Sequence, residues 1–312
     1  MTGHLPFTVI GGYLGAGKTT LLNQILTQAA GRRMAVLVND FGSVNIDASL
    51  IRDHDGDTIA LTDGCLCCSL VNGFAAAIAS ILARAGDFDH VIIEASGVAD
   101  PAKIAQYGQM YELPLDGILV LVDAEQIRTQ ATDGYVGDTV LRQLAQADLL
   151  IVNKTDLVTT SDLSELRGWV SGQAPGTPVI EARHSDVPLE VLFGYAHERV
   201  AFRPAAAFPP HPEAFRTWTL EWERPLSLEE VERLASGFGE GVYRVKGFVA
   251  LESDPDRRQV YQQVGARWTL EPGESWGTSD RRTKLIVIGR AEAGPDPVDA
   301  AAAMTGGQHD LA

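Results

Sequence analysis

The sequence predicts an α/β architecture: a mostly parallel sheet with helices on both faces, followed by a small α+β unit. Three observations predict it. Through residue 202, short continuous apolar runs alternate with helix-patterned stretches, the signature of parallel strands buried on both faces. The first run, Phe7-Thr8-Val9-Ile10, is joined to the first helical stretch by a glycine-rich turn, Gly12-Tyr13-Leu14-Gly15-Ala16-Gly17-Lys18-Thr19-Thr20. Beyond a proline- and alanine-rich stretch at 203–213, the pattern changes to strand-like runs with a single helix.

In chain order, a helix is expected from about Thr19 to Ala30, with Leu21, Leu22, Ile25 and Leu26 on its apolar face. Met34–Val38 reads as a buried strand running into the polar loop Asn39-Asp40-Phe41-Gly42. Thr58–Leu61 is a short strand delivering Cys65-Leu66-Cys67-Cys68, and Leu70 to Arg84 is an alanine-rich helix. His90–Ile93 is a strand ending at Glu94-Ala95-Ser96-Gly97, after which Asp100-Pro101 starts a helix with Asp as cap and Pro at the first position. Gly117–Asp123, Leu149–Asn153 and Pro178–Ile180 complete the predicted strands of the first domain, 1–202. After the linker, a domain over 214–290 is expected to hold strands at 215–223, 242–251, 259–270 and 284–288. Its helix starts at the capping box Ser227-Leu228-Glu229-Glu230. The tail, 291–312, rich in Ala, Gly, Asp and Pro, is expected to be disordered.

Composition bounds the function. With 45% hydrophobic and 21% charged residues and no long apolar run, a globular protein without a membrane span is expected. The first residues carry no secretory signal pattern, so a cytoplasmic location is expected. A net charge of −16 repels nucleic acid and anionic membrane, so neither is an expected partner. The three cysteines all lie within residues 65–68, too close together and odd in number for a disulfide framework.

The turn at Gly12–Thr19 is G-x-x-x-x-G-K-T, after a strand and opening a helix, where a phosphate-binding loop must be. Its glycines, with Ala16, let successive backbone N–H groups face an anion, and the helix start adds partial positive charge. Lys18 can reach the β/γ-phosphates, the Thr19 hydroxyl suits Mg²⁺, and Thr20 continues the loop into the helix. The alternative, a glycine-rich turn that binds nothing, leaves the lysine and threonine without a purpose. Asn153-Lys154-Thr155-Asp156 follows a buried strand downstream. The Asp156 carboxylate can accept from guanine N1–H and the 2-amino group, a pair of donors adenine lacks. Asn153 can meet the O6/N7 edge, and the Lys154 stem can cover the base. Glu181-Ala182-Arg183 could close the pocket through its backbone. At Glu94-Ala95-Ser96-Gly97, Glu94 falls where a nucleotide hydrolase places an acid near Mg²⁺, and the Gly97 N–H could sense the γ-phosphate as part of a switch. A capped strand end is the plainer reading. Lys18, Glu94 and Gly97 are thus the candidate catalytic groups.

The cysteines leave three readings open. They could be buried small hydrophobes, a redox-active thiolate pair at a helix start, or soft-metal ligands, Cys65 and Cys67 projecting to one side of an extended chain. Zn²⁺ usually takes four ligands, so Cys68, Asp40, a histidine, water or a second chain must finish the shell. A homodimer is therefore among the possible partners. The seven histidines are scattered and read as surface or packing residues.

Taken in order, Gly12–Thr19, Cys65–Cys68, Glu94-Ala95-Ser96-Gly97-Val98-Ala99-Asp100-Pro101 and Asn153–Asp156 resemble the CobW family of G3E GTPases. Tyr243-Arg244-Val245-Lys246-Gly247-Phe248 and Thr283–Gly289 are similar to that family's C-terminal domain. The resemblance implies GTP hydrolysis to GDP, with Mg²⁺, coupled to binding and delivery of zinc (cobalt, iron or nickel in some branches). The recipient would be a client metalloprotein met through the C-terminal domain. Two departures stand out. Asn39-Asp40-Phe41-Gly42 has Asp where the family often has Glu, and a histidine-rich stretch is missing, so metal storage is not expected. Rival readings are an ATP-using kinase, a nucleotide-regulated binding module without turnover, and a GTPase with a redox-sensing cysteine cluster.

Overall fold

The computed structural model describes residues 5–29, 31–38, 59–61, 70–193, 215–238, 241–277, 281–290 and 308–311. It divides into two compact units, 1–175 with 179–189 and 176–178 with 190–312.

In the first unit all seven predicted apolar runs are strands: β1 (Phe7–Gly12), β2 (Met34–Val38), β3 (Ile59–Leu61), β4 (His90–Glu94), β5 (Leu115–Asp123), β6 (Leu149–Asn153) and β7 (Val179–Glu181). Every described pairing among them is parallel, in the order β3-β2-β4-β1-β5-β6-β7. The continuous apolar composition has its physical cause here. Phe7, Val9, Val91, Ile93, Val120 and Val152 pack into one core. Their alternate neighbours Ile10, Ile92, Leu121 and Ile151 are buried as well. α1 (Lys18–Gln28) turns Leu21, Leu22 and Ile25 inward and packs on β1 and β4. α2 (Leu70–Ala83), α3 (Pro101–Met110), α5 (Gly137–Ala145) and α6 (Thr160–Gln173) supply Ile78, Ile81, Ile104, Val140, Leu144, Leu166 and Val170 to the same core as Phe7 and Val9, with α4 (Ile127–Thr132) adding Ile127. Asp100 caps α3 as expected, its carboxylate accepting from Lys103 N at 3.2 Å with Pro101 at the first position.

The second unit is a six-stranded sheet in the order β11-β10-β9-β12-β8-β13, built from β8 (Phe215–Trp222), β9 (Val242–Leu251), β10 (Asp254–Val264), β11 (Arg267–Ser275), β12 (Thr283–Arg290) and β13 (Gln308–Leu311). Trp218, Leu220, Trp222, Val245, Val249, Tyr261, Leu285 and Val287 form its core with Val231 and Leu234 of α8 (Leu228–Gly237). The predicted capping box opens α8: Ser227 accepts from Glu230 N, and Glu230 accepts from Ser227 N. Arg224 and the Ser227 backbone N–H hold the Glu230 carboxyl down to about 2. A short helix, α7 (Leu189–Phe193), leads into this unit.

Two expectations are corrected. The single strand expected at 259–270 is a hairpin, because Gly265 takes φ 56 and folds β11 back with Val264 opposite Arg267. Positive φ at the first turn position alone suits a II′ turn. The tail expected to be disordered contributes β13, whose backbone pairs with the otherwise open edge of β8. The expected linker, 203–213, lies outside the described residues. Among the described residues no helix is long and apolar enough to cross a membrane.

Candidate nucleotide site

The site is built at the carboxyl ends of β1, β4, β5 and β6, where a parallel sheet leaves its crevice. β1 ends at Gly12, and the chain turns through Gly15 and Ala16 to Gly17, which precedes α1 with φ 104. No side chain caps α1, and a helix start of this kind suits an anion. Gly17 could not be any other residue. A Cβ there would lie 2.4 Å from Asn153 Nδ2 and 2.9 Å from Ser185 Oγ, and the backbone is left-handed. Gly17→Ala is therefore expected to distort the loop and weaken GDP binding by at least about ten-fold. Titration with a fluorescent GDP analogue checks it, against melting of the variant.

Lys18 is buried, and its ammonium donates to the carbonyls of Gly12 (2.9 Å) and Tyr13 (3.3 Å), across the mouth of the loop. Thr19, one turn into the site, donates its hydroxyl to Glu94 Oε1 at 3.0 Å. Thr20 is exposed on the next position of α1. Glu94 is the last residue of β4 and is 2% exposed. A hydroxyl and a carboxylate side by side at a phosphate loop are the hard oxygen donors that suit Mg²⁺. The residues present therefore fit that ion. Gly97 follows three residues later, pressed against the loop: a Cβ would come within 2.5 Å of Leu14 Cδ2 and 2.8 Å of Leu14 N.

The Asn153–Asp156 segment reaches the same place from β6. Asn153 is buried, and both of its amide N–H groups have protein acceptors, Ala16 O at 3.0 Å and Ser185 Oγ at 2.8 Å, while its Oδ1 accepts from Ser185 N at 2.8 Å. The sequence reading directs this amide to the O6/N7 edge of a base. In the structure the amide joins the Asn153–Asp156 turn to the Gly12–Thr19 loop, because two acceptors stand within reach. Ser185 closes the triangle by donating to Gly17 O at 3.1 Å. Lys154 sits at φ 62, and its ammonium bonds Asp123 Oδ2 at 2.7 Å; Asp123 Oδ1 in turn accepts from Glu125 N and Gln126 N. The Lys154 stem is thereby fixed at the edge of the site. Asp156 keeps 28% of its side chain exposed, with His184 Nε2 3.9 Å away. Ala182, from the Glu181-Ala182-Arg183 stretch, has its N–H on Val152 O and its carbonyl on the Thr155 hydroxyl, so it braces this loop.

Three contributors were not legible beforehand: Ser185, Asp123 and Leu14. Of these only Asp123 had a signal, as the charged end of a buried apolar run. Cys65, Cys67, Cys68 and Asp40 lie outside the described residues. Among the described residues, no group of three or more His, Cys, Asp or Glu side chains could hold a metal ion.

A parallel sheet with a G-x-x-x-x-G-K-T loop at its crevice, a carboxylate against the loop's threonine and an N-K-x-D turn tied to the loop defines a P-loop nucleotide-binding domain. The comparisons with known proteins agree. The profile of the CobW/HypB/UreG nucleotide-binding domain matches residues 6–181, and that of the cobalamin synthesis protein cobW C-terminal domain matches 215–303. The chain belongs to the CobW family. It is 31% identical, over an alignment 331 positions long, to the zinc chaperone CobW of Pseudomonas aeruginosa, covering 92% of this chain and 88% of that protein. It is 30% identical over 305 residues to the zinc chaperone YjiA of Escherichia coli, covering 91% and 94%. The zinc-regulated GTPase metalloprotein activator 1 of Schizosaccharomyces pombe is 37% identical over 174 residues, covering 52% of this chain and 42% of that protein.

Proposed function

We propose that this chain is a Mg²⁺-dependent GTPase that binds zinc through Cys65, Cys67 and Cys68, with Asp40, and passes it to a client metalloprotein. The observation that carries the GTPase half is the contact of Thr19 with Glu94 beside Lys18, on a loop tied through Asn153 to Asp156. In this reading Thr19 and Glu94 would hold Mg²⁺, which would supply charge neutralisation to the bound phosphates. Lys18 stabilises charge on the terminal phosphate, and the Gly97 N–H fixes that phosphate from the other side. Asp156 selects guanine, and the buried Asn153–Ser185 pair transmits base occupancy to the loop.

The zinc half is supported by the names of the relatives and by connectivity. Val38, the last residue of β2, pairs with Glu94, and Leu37 pairs with Leu61, the last residue of β3. Asp40 therefore follows the residue beside Glu94 by two positions. Covalent reach keeps Cys65 within about 14 Å of Leu61, and two strand spacings, about 10 Å, separate β3 from β4. Nucleotide-dependent ordering near Glu94 can thus act on the thiolates through short connections. The C-terminal domain, 214–290, beyond a linker at 203–213, meets the client, and the protein works in the cytoplasm.

Zinc affinity measured by chelator competition, with GDP and with a non-hydrolysable GTP analogue, tests the coupling. A difference of about ten-fold or more is expected, with the same factor in nucleotide affinity with and without zinc. Equal zinc affinities in the two states would refute it.

A further inference from the structure

α5 does more than cover the sheet. Its Gln143 is 2% exposed, in a position where an amphipathic helix ordinarily carries an apolar side chain. Both amide hydrogens are engaged from the one nitrogen: Nε2 donates to Gly97 O at 3.1 Å and to Ala99 O at 2.8 Å. The same end of α5 holds the residues that follow. Gln146 Oε1 accepts from Ala102 N at 3.4 Å, and Arg142 Nε stands 4.0 Å from Asp100 Oδ2. A turn closed by Ala99 N donating to Ser96 O at 2.9 Å lies between these anchors. On its other side the turn meets Leu14 of the phosphate loop, against which Gly97 has no room for a Cβ.

Gly97 is thus gripped between the phosphate loop and α5. In a trans peptide the carbonyl and the following N–H point in opposite directions. With the Gly97 carbonyl drawn in to Gln143, the Val98 N–H is turned away from α5, and Gly97, whose own N–H lies one peptide earlier, loses its freedom about ψ. Two carbonyls of this turn, Gly97 and Ala99, are held by one buried amide, so the turn cannot rotate without releasing Gln143 or carrying α5 with it.

We propose that Gln143 is a positioning residue for nucleotide hydrolysis: it presets the Gly97 turn for the terminal phosphate and makes α5 the element that registers triphosphate against diphosphate. The inference rests on the GTPase reading and names a residue outside the motifs that carry it. Both Gln143 hydrogen bonds go to this turn, and neither goes to Lys18 or to the Asn153–Asp156 segment, so diphosphate binding should not depend on it.

Gln143→Met keeps the length and volume and removes both donors. In the full chain it is expected to lower kcat for GTP by about 10- to 100-fold and to reduce the affinity ratio of a non-hydrolysable GTP analogue to GDP by a similar factor. GDP affinity should stay within about two-fold. A merely structural role would lower the melting temperature and weaken both nucleotides alike, leaving the ratio unchanged. If Gln143→Met does not fold, Gln143→Asn, which keeps an amide too short to reach both carbonyls, is expected to shift the ratio and kcat in the same direction. A folded variant with kcat and ratio within two-fold of the parent would overturn the proposal. A parent chain without GTP turnover would instead remove the GTPase reading, and the affinity ratio would still report on Gln143.

Discussion

Asp156→Ala is expected to weaken GDP binding by about 10²- to 10⁴-fold, the equivalent of two hydrogen bonds from the base to an ionised acceptor at about 1.5–3 kcal/mol each. The geometry supports a large figure. The backbone on either side of Asp156 is held independently of any base: Thr155 N and its hydroxyl both donate to Ala182 O, and Leu157 N donates to Lys154 O. Lys154 is fixed by Asp123. The carboxylate is therefore presented by a preformed turn, so its loss is not offset by relaxation of the loop. Its remaining exposure leaves it open to a ligand. Asp156→Asn makes the argument sharper. An amide can donate to a carbonyl at C2 but cannot accept from both guanine donors, so preference should move from guanine to xanthine nucleotides. Displacement of fluorescent GDP by GDP, XDP and ADP reads both effects. Unchanged GDP affinity in Asp156→Ala would withdraw the guanine assignment.

The first unit was legible because burial on both faces forces continuous apolar runs, and each motif follows one of them. Phe7–Ile10, His90–Ile93 and Leu149–Val152 could hardly be read otherwise. The hairpin at Val264–Arg267 was not legible, because Gly265-Ala266 carries no Asn-Gly or Asp-Gly signal and apolar residues continue on both sides. At the site, the Gly12–Thr19 turn was readable, since Gly12, Gly15 and Gly17 take the positive φ that favours glycine. The partners of Asn153 were not. Ser185 lies 32 residues downstream, and no spacing rule predicts a bond between strand ends that only the fold brings together. Gln143 was hidden for a related reason: within Leu141-Arg142-Gln143-Leu144 it reads as part of a polar face, and only the position of the Gly97 turn shows why a polar side chain is buried there.

Lys18→Ala should be the more damaging substitution for turnover, with kcat/KM for GTP falling by about 10²- to 10³-fold or more, the scale of losing one preorganised electrostatic donor. Two effects reinforce one another. The ammonium would no longer meet charge developing on the terminal phosphate, and the carbonyls of Gly12 and Tyr13 would lose the donor that now spans them at 2.9 and 3.3 Å. Lys18→Arg is not a rescue, because a planar guanidinium is too large for a buried point-charge position inside the loop. The loss should fall more heavily on GTP than on GDP, since the proposed function puts the Lys18 ammonium on the terminal phosphate. Single-turnover hydrolysis together with GDP titration separates the two. Turnover by Lys18→Ala within ten-fold of the parent would mean that phosphoryl chemistry takes place elsewhere than at this loop. An equal loss for GDP and GTP would mean that Lys18 serves the loop's shape and not the reaction.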